Sequence, residues 1–238
     1  MSTKRVLLIF SFCLVLFLLI FNFGQCSKEE SSDYNGTDLV VEDFPYQWKF
    51  DKTKDLQFPE LPTGCEATAA SIISRMQGVL VTKTEIANAL PKAKTSYDFV
   101  DAYIGNPYSY TGWSCSARAI TKTLNVIFST REEFAAVELT GDDLDSLKLP
   151  AAVWVSINMA IPKTPSYTSE GYMIFYNTHC VAVTKVTDDE VYTVDPLRGE
   201  FKYDRDIFEA VYNRMGKEAV YVGNLDEVSR LIRERNQL

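Results

Sequence analysis

Three residues offer this chain nucleophilic chemistry: Cys65, His179 and Asp195. Residues 61–78 read LPTGCEATAASIISRMQG. Thr63 to Glu66 spell T-x-x-E, a capping box in which the Thr63 hydroxyl accepts the Glu66 N–H and Glu66 reaches back to the Thr63 N–H. Ala69, Ile72, Ile73 and Met76 follow at i, i+3, i+4 and i+7, the apolar stripe of a helix. Gly78 stands where a left-handed C-terminal residue is wanted. Cys65 is four residues before Ala69, so it tops the same stripe and faces the body of the protein. First-turn N–H groups and the helix dipole favour a thiolate there, and the thiolate is the reactive form. An ionised Glu66 would oppose it, although the box turns that carboxylate toward Thr63. The plainer reading is a small buried structural cysteine. The motif alone leaves both open.

The choice turns on a base, and His179 is the only histidine of the chain. It opens HCVAVTKV, a strand pattern in which Val181 and Val183 share its face while Cys180 and Ala182 share the other. EVYTVDP follows across a turn near Thr187–Asp189. Antiparallel pairing about that turn sets Asp195 opposite His179 or within two positions, inside side-chain reach. A carboxylate on one ring nitrogen would orient the imidazole and leave the other nitrogen to take a thiol proton. A strand-end histidine bonded to a backbone carbonyl, and a turn-forming aspartate before Pro196, remain the plainer readings.

The elements that position these residues run helices first, strands second. A helix is expected over Thr63–Gln77 and a second over Thr82–Leu90, the latter with its own T-x-x-E and a terminating Pro91. An irregular aromatic stretch, SYDFVDAYIGNPYSYTGWSCSARAI, precedes a third helix from about Ser114 to Asn125. TGDDLDSLKL has the caps of a short helix. From Ala151 the pattern changes to the strands AAVWVSINM, HCVAVTKV, EVYTVDP and GEFKYD. The helix RDIFEAVYNRMG, the strand EAVYVG and a polar C-terminal helix follow. Helices and then antiparallel strands imply an α+β fold. A long loop inside a compact domain tends to be functional. Tyr108, Tyr110 and Trp113 are therefore candidates for a substrate groove, with core filling and loop anchoring as the plainer alternative.

The chain has 238 residues and a net charge of −8. That acidity, with no Lys/Arg run and no Gly-rich phosphate loop, argues against nucleic acid or nucleotide as partner. Lys4 and Arg5 precede VLLIFSFCLVLFLLIFNF, an apolar run just long enough to span a bilayer, so the remainder is expected outside the cytoplasm. Residues 1–26 read as a membrane anchor or a lipoprotein-type signal with Cys26 as the acylated residue. Residues 27–43 read as a polar acidic tether, and 44–238 as one globular domain. A cleaved secretory signal would also export the domain. Three cysteines remain there, Cys65, Cys115 and Cys180, and an odd number leaves at least one thiol free unless chains pair. A Cys115–Cys180 disulfide is left open. These residues and His179 lack C-x-x-C or H-x-x-x-H spacing, so no metal or cofactor is expected.

Four segments together resemble the C39-like cysteine peptidase family of the papain-like clan. They are Q-x-P-E-L-P-T-G-C-E from Gln57 to Glu66, Y-I-G-N-P-Y before G-W-S-C at Gly112–Cys115, N-T-H-C-V-A-V at Asn177–Val183 and V-D-P-L-R-G at Val194–Gly199. The resemblance implies a papain-like cysteine peptidase fold. It implies that Cys65 is the nucleophile, His179 the base and Asp195 the third member. It further implies that the Gln57 amide and the Cys65 N–H form the oxyanion hole. The clan is familiar from exported proteins of Gram-positive bacteria. The chain has neither the transmembrane bundle nor the nucleotide-binding domain of the leader peptidases fused to bacteriocin exporters, so it resembles the stand-alone exported branch. The expected function is an extracytoplasmic, membrane-attached peptidase or amide hydrolase acting on a peptide or amide. A non-catalytic peptide- or cell-wall-binding module on the same fold, or a papain-like acyl transferase, are the alternatives.

Overall fold

The computed structural model describes residues 48–131, 133–163, 166–167 and 173–237. Cys26, the apolar N-terminal run and the acidic tether lie outside them. Among the described residues no helix is long and apolar enough to cross a membrane.

Six helices are formed among these residues: α1 Lys52–Asp55, α2 Cys65–Met76, α3 Lys83–Ala89, α4 Ala117–Phe128, α5 Arg205–Arg214 and α6 Leu225–Arg235. The strands are β1 Lys92–Ala93, β2 Tyr103–Ile104, β3 Phe134–Glu138, β4 Ala151–Ser156, β5 Ser166–Tyr167, β6 Met173–Ile174, β7 Thr178–Val186, β8 Glu190–Asp195, β9 Gly199–Asp204 and β10 Ala219–Asn224. Six of them build one antiparallel sheet in the order β3-β10-β4-β7-β8-β9. The architecture is the expected α+β, papain-like arrangement. β3 is the edge strand that the sequence pattern does not announce. Its FAAVE has too little alternation and too much alanine to read as a strand, and it forms because β10 pairs with it along its whole length.

The sheet divides the core. On one face α2 and α4 pack against Trp154, Cys180, Ala182, Val194, Val220 and Val222. On the other, Phe208, Val211 and Tyr212 of α5 cover Val153, Val155, Val181, Val183 and Tyr203. α2 is the central piece. The expected stripe of Ala69, Ile72, Ile73 and Met76 is buried, but so is every other residue of the helix except Arg75. A helix enclosed on all sides must satisfy its polar groups locally. Thr68 Oγ1 donates to Gly64 O, Ser74 Oγ to Ala70 O and Ser71 Oγ to Val81 O. Truncating Ile72 to alanine in such a site costs about 2–5 kcal/mol.

α2 ends as anticipated, with Gly78 at φ 83°. α3 starts as anticipated, with Thr82 Oγ1 accepting the Glu85 N–H. α4 begins three residues later than expected, because Ser116 is the cap that accepts the Ala119 N–H. The TGDDLDSLKL helix is a single turn at Leu144–Ser146.

Candidate active site

The start of α2 is built differently from the capping box. Gly64 is the N-cap and no side chain caps the helix. Thr63 turns outward instead: its hydroxyl donates to Ser109 O at 2.9 Å and its N–H donates to Pro107 O. Glu66 is drawn inward, where Oε1 accepts the Ser114 hydroxyl at 2.5 Å and the Cys115 N–H at 3.3 Å. The loop 105–115 thus claims both box residues: the Ser109 carbonyl accepts from Thr63 and the buried Ser114 and Cys115 donors hold Glu66, in place of a local cap worth about 1 kcal/mol. The approach is close. A Cβ on Gly112 would lie 2.2 Å from Thr63 Oγ1, and one on Gly64 would lie 2.8 Å from Leu61 Cβ.

Cys65 sits in the first turn, 6% exposed. Its thiol donates to Glu66 Oε2 at 3.4 Å. Burial pushes the thiol pKa well up and an ionised Glu66 adds to this, while the backbone N–H of Cys180 pulls it down. That last contact places the Cys65 sulfur beside the residue that follows His179. The Cys65 N–H takes no acceptor among the described residues. All three cysteines of the domain are free and buried, so Cys115 and Cys180 are not joined.

β7 and β8 bring the imidazole and its orienter together. Ala182 pairs with Val194; one further step sets Asp195 opposite Val181, two positions from His179. His179 Nε2 lies 2.8 Å from Asp195 Oδ1, both buried. Asp195 Oδ1 also accepts the Leu197 N–H at 2.7 Å, and Oδ2 accepts the Tyr203 hydroxyl at 2.6 Å. Burial alone would raise the Asp195 pKa. The His179 hydrogen bond and charge, with Tyr203 and Leu197, outweigh it and hold the carboxyl below its ordinary value. The hydrogen bond to an ionised Asp195 places a proton on Nε2 and leaves Nδ1 as the ring nitrogen without that partner. Tyr203 is the participant that sequence reasoning missed. Its signal was faint: GEFKYD read only as a strand, and the register Val191–Tyr203 is what puts it on the face of Asp195.

Gln57 is buried between the two groups. Its backbone N–H donates to Pro196 O at 2.9 Å, next to Asp195, and its side-chain Nε2 donates to Pro62 O at 2.7 Å, three residues before Cys65. Among the described residues its buried Oε1 has no partner. The three groove candidates separate. Tyr108 donates to Thr84 O and Asn88 Oδ1, which anchors the loop to α3. Tyr110 is exposed and lies against Phe58, the neighbour of Gln57, with ring centroids 6.3 Å apart. Trp113 donates to Phe175 O and stacks on Tyr176 at 5.0 Å, so it borders the loop that enters the His179 strand. Phe58 and Tyr176 were not singled out by spacing, because each acquires a role only through a partner more than 50 positions away.

Comparison with known proteins bears on this arrangement. The model of the Peptidase_C39 like family matches residues 41–220. The chain is 30% identical over 183 residues to the uncharacterized protein YvpB of Bacillus subtilis (strain 168), which covers 69% of this chain and 70% of the relative. A solved structure of a candidate C39-like peptidase from Bacillus anthracis superposes with a TM-score of 0.61 at 25% identity, over 69% of this chain and 90% of the other. A double glycine motif protease from an AMS/PCAT transporter, in complex with its leader peptide, matches at a TM-score of 0.42 and 13% identity, over 70% of this chain and 87% of that one, a likeness too slight to carry an argument. With three quarters of its length matched by one family model, this chain belongs to the peptidase C39-like family.

Proposed function

We propose that this protein is a cysteine peptidase or amide hydrolase in which Cys65 attacks an amide carbonyl through a Cys65–His179–Asp195 triad. The observation that carries the reading is the buried 2.8 Å pair of His179 Nε2 and Asp195 Oδ1, set in the strand whose Cys180 N–H faces the Cys65 sulfur. His179 Nδ1 takes the thiol proton, and the thiolate adds to the carbonyl. The Cys65 N–H and the second Nε2 hydrogen of Gln57 receive the oxyanion. The imidazolium then protonates the leaving amine, the C–N bond breaks, and water hydrolyses the thioester. Family membership supports peptidase-type chemistry. The N-terminal run from Val6 to Phe23 behind Lys4 and Arg5 supports attachment to a membrane, with the catalytic domain outside the cytoplasm.

The test needs no known substrate. The full-length chain in detergent is labelled with limiting iodoacetamide across pH, and the modified cysteines are mapped by mass spectrometry. Cys65 should label below the pH at which ordinary thiols react, and His179→Ala should abolish that early labelling. Equal, slow labelling of all three cysteines would sink the reading. A proteome-derived peptide library, with and without added amine, separates hydrolysis from acyl transfer. Labelling with a fatty-acid analogue that vanishes in Cys26→Ala identifies a lipoprotein; labelling unchanged by that substitution excludes Cys26 as the acylated residue.

A further inference from the structure

Among the described residues no hydrogen bond joins Cys65 to His179, and the Cys65 sulfur is bonded to Glu66 instead. A carboxyl beside a nucleophilic sulfur needs an explanation, because as an anion it opposes the thiolate that the chemistry requires. The geometry of Glu66 supplies one. Its side chain has no exposure to solvent. Two donors of the loop 105–115, the Ser114 hydroxyl and the Cys115 N–H, both point at Oε1, and the Glu66 backbone N–H adds a further hydrogen bond to the carboxyl. An oxygen that accepts two hydrogen bonds plays the carbonyl part of a carboxylic acid. The proton of a neutral Glu66 therefore sits on Oε2, and the partner that Oε2 has is the Cys65 sulfur at 3.4 Å.

We propose that Glu66 gates the nucleophile: as the neutral acid it donates Oε2–H to the Cys65 sulfur and stabilises the thiolate, and as the carboxylate it accepts the thiol proton and holds Cys65 inert. The inference rests on the catalytic reading of Cys65 and His179 above. The protons balance as follows. In the inert state one proton is on Cys65 and none on Glu66 or the imidazole Nδ1. In the active state one proton is on Glu66 and the Cys65 proton has moved to Nδ1, so activation takes up one proton from solvent. The site is favoured by acid.

The surroundings agree. The titratable groups facing Glu66 are Cys65 on its own helix, Tyr103 of β2, Cys115 ahead of α4, Cys180 of β7 and Glu218 ahead of β10. Asp195 reaches the pair through the Cys65 sulfur. None of these is a cation. Burial raises the Glu66 pKa above its ordinary value despite the Ser114 and Cys115 donors.

Glu66→Gln is the informative substitution, because the amide keeps both halves of the neutral acid: Oε1 accepts from Ser114 and Cys115, and Nε2 donates to sulfur. The readout is the iodoacetamide rate constant at Cys65 in the full-length chain, from pH 5 to pH 8. The ratio of Glu66→Gln to wild type should be near one at pH 5 and rise to about tenfold or more at pH 8, a shift of at least one unit in the thiol's effective pKa. Glu66→Ala should label about tenfold more slowly at pH 5, since the donor is gone. A Gln-to-wild-type ratio constant with pH would overturn the gate and leave Glu66 a packing residue. An unchanged Cys65 rate in His179→Ala would overturn the catalytic reading instead, so the two failures are distinct. If Glu66→Gln does not fold, infrared spectroscopy of the wild type decides. A carboxylic acid C=O band should persist above the pH at which an ordinary glutamic acid ionises and shift when Cys65 is alkylated. The buried Glu218 gives a second such band, and only the one that moves with alkylation counts. No band moving with alkylation would overturn the proposal.

Discussion

Two regions of the candidate site each bury a carboxyl group against a titratable side chain, and they treat it in opposite ways. In the strand region Asp195 is held below its ordinary pKa; in the helix region Glu66 is held above it. Depth does not make the difference, since both are essentially without exposure. Partners do. Asp195 faces an imidazole that can carry positive charge, and three donors spread over both its oxygens. Glu66 faces a sulfur that can only become negative, and the Ser114 and Cys115 donors converge on one of its oxygens. Burial raises both carboxyls; at Asp195 the imidazole and the other donors outweigh it, and at Glu66 the donors do not. Pairs of titratable groups pushed apart in this way mark out the acid and base roles of a site.

The largest effect should come from removing the charge that the strand region protects. Asp195→Asn leaves the imidazole in the wrong tautomer, and amide hydrolysis should fall by on the order of 10²–10⁴. The matching change in the helix region, Glu66→Gln, should leave the rate at mildly acid pH within a few-fold. Equal losses in the two amides, measured side by side on one peptide, would mean that both carboxylates do the same work. The next largest effect lies at the residue that spans the two regions. Gln57 is tied by its backbone to Pro196 and by its amide to Pro62. Gln57→Ala should lower kcat/KM by about 10²–10³ with the thermal midpoint little changed. A loss that instead tracks unfolding would assign Gln57 to the scaffold alone.

The strand region was the more legible of the two. A lone histidine, an alternating apolar strand and a turn of fixed place constrain His179 and Asp195 to neighbouring positions, because strand pairing is periodic and local. The apolar face of α2, the left-handed Gly78 and the Thr82 cap were readable for the same reason. The helix region resisted. T-x-x-E at Thr63–Glu66 is a valid local signal, but Ser109, Ser114 and Cys115 compete for the same side chains from a loop whose path no local rule supplies. Tyr203 and Tyr176 escaped similarly, since each matters only through register or stacking with distant partners. The edge strand β3 owes its existence to β10 rather than to its own residues.

A third buried carboxyl tests whether partners set the outcome in general. Glu218 accepts the Ala117 N–H at the start of α4, and burial pushes its pKa up to about 8. The folded state therefore binds the proton more tightly than the unfolded chain does. Its stability should fall as pH rises from about 4.5 to about 8 and then level off. Glu218→Gln should remove that slope and be more stable than wild type above pH 8, by on the order of a few kcal/mol. Denaturant midpoints at pH 5 and pH 9 measure it, and parallel midpoints in the two proteins would show that Glu218 does not titrate on folding.

The smallest effect should come from trimming one donor from the charged side of the comparison. Tyr203→Phe takes a hydroxyl from Asp195 Oδ2 and leaves the ring between Phe201 and Phe208. A hydrogen bond to a charged group is worth about 1.5–3 kcal/mol, and the retained ring keeps the apolar contribution. The sign with pH follows from the depressed pKa of Asp195. Its stabilisation is fully present above the unfolded carboxylate pKa and is lost as pH falls through the folded value. The variant should be destabilised at pH 7, and by less at an acid pH below the folded pKa of Asp195, where the carboxyl takes up its proton and the lost partner matters less. If the cost is the same at both pH values, the hydroxyl contributes packing rather than charge stabilisation. Asp195 would then owe its ionised state to His179 alone, and the contrast with Glu66 would reduce to one imidazole.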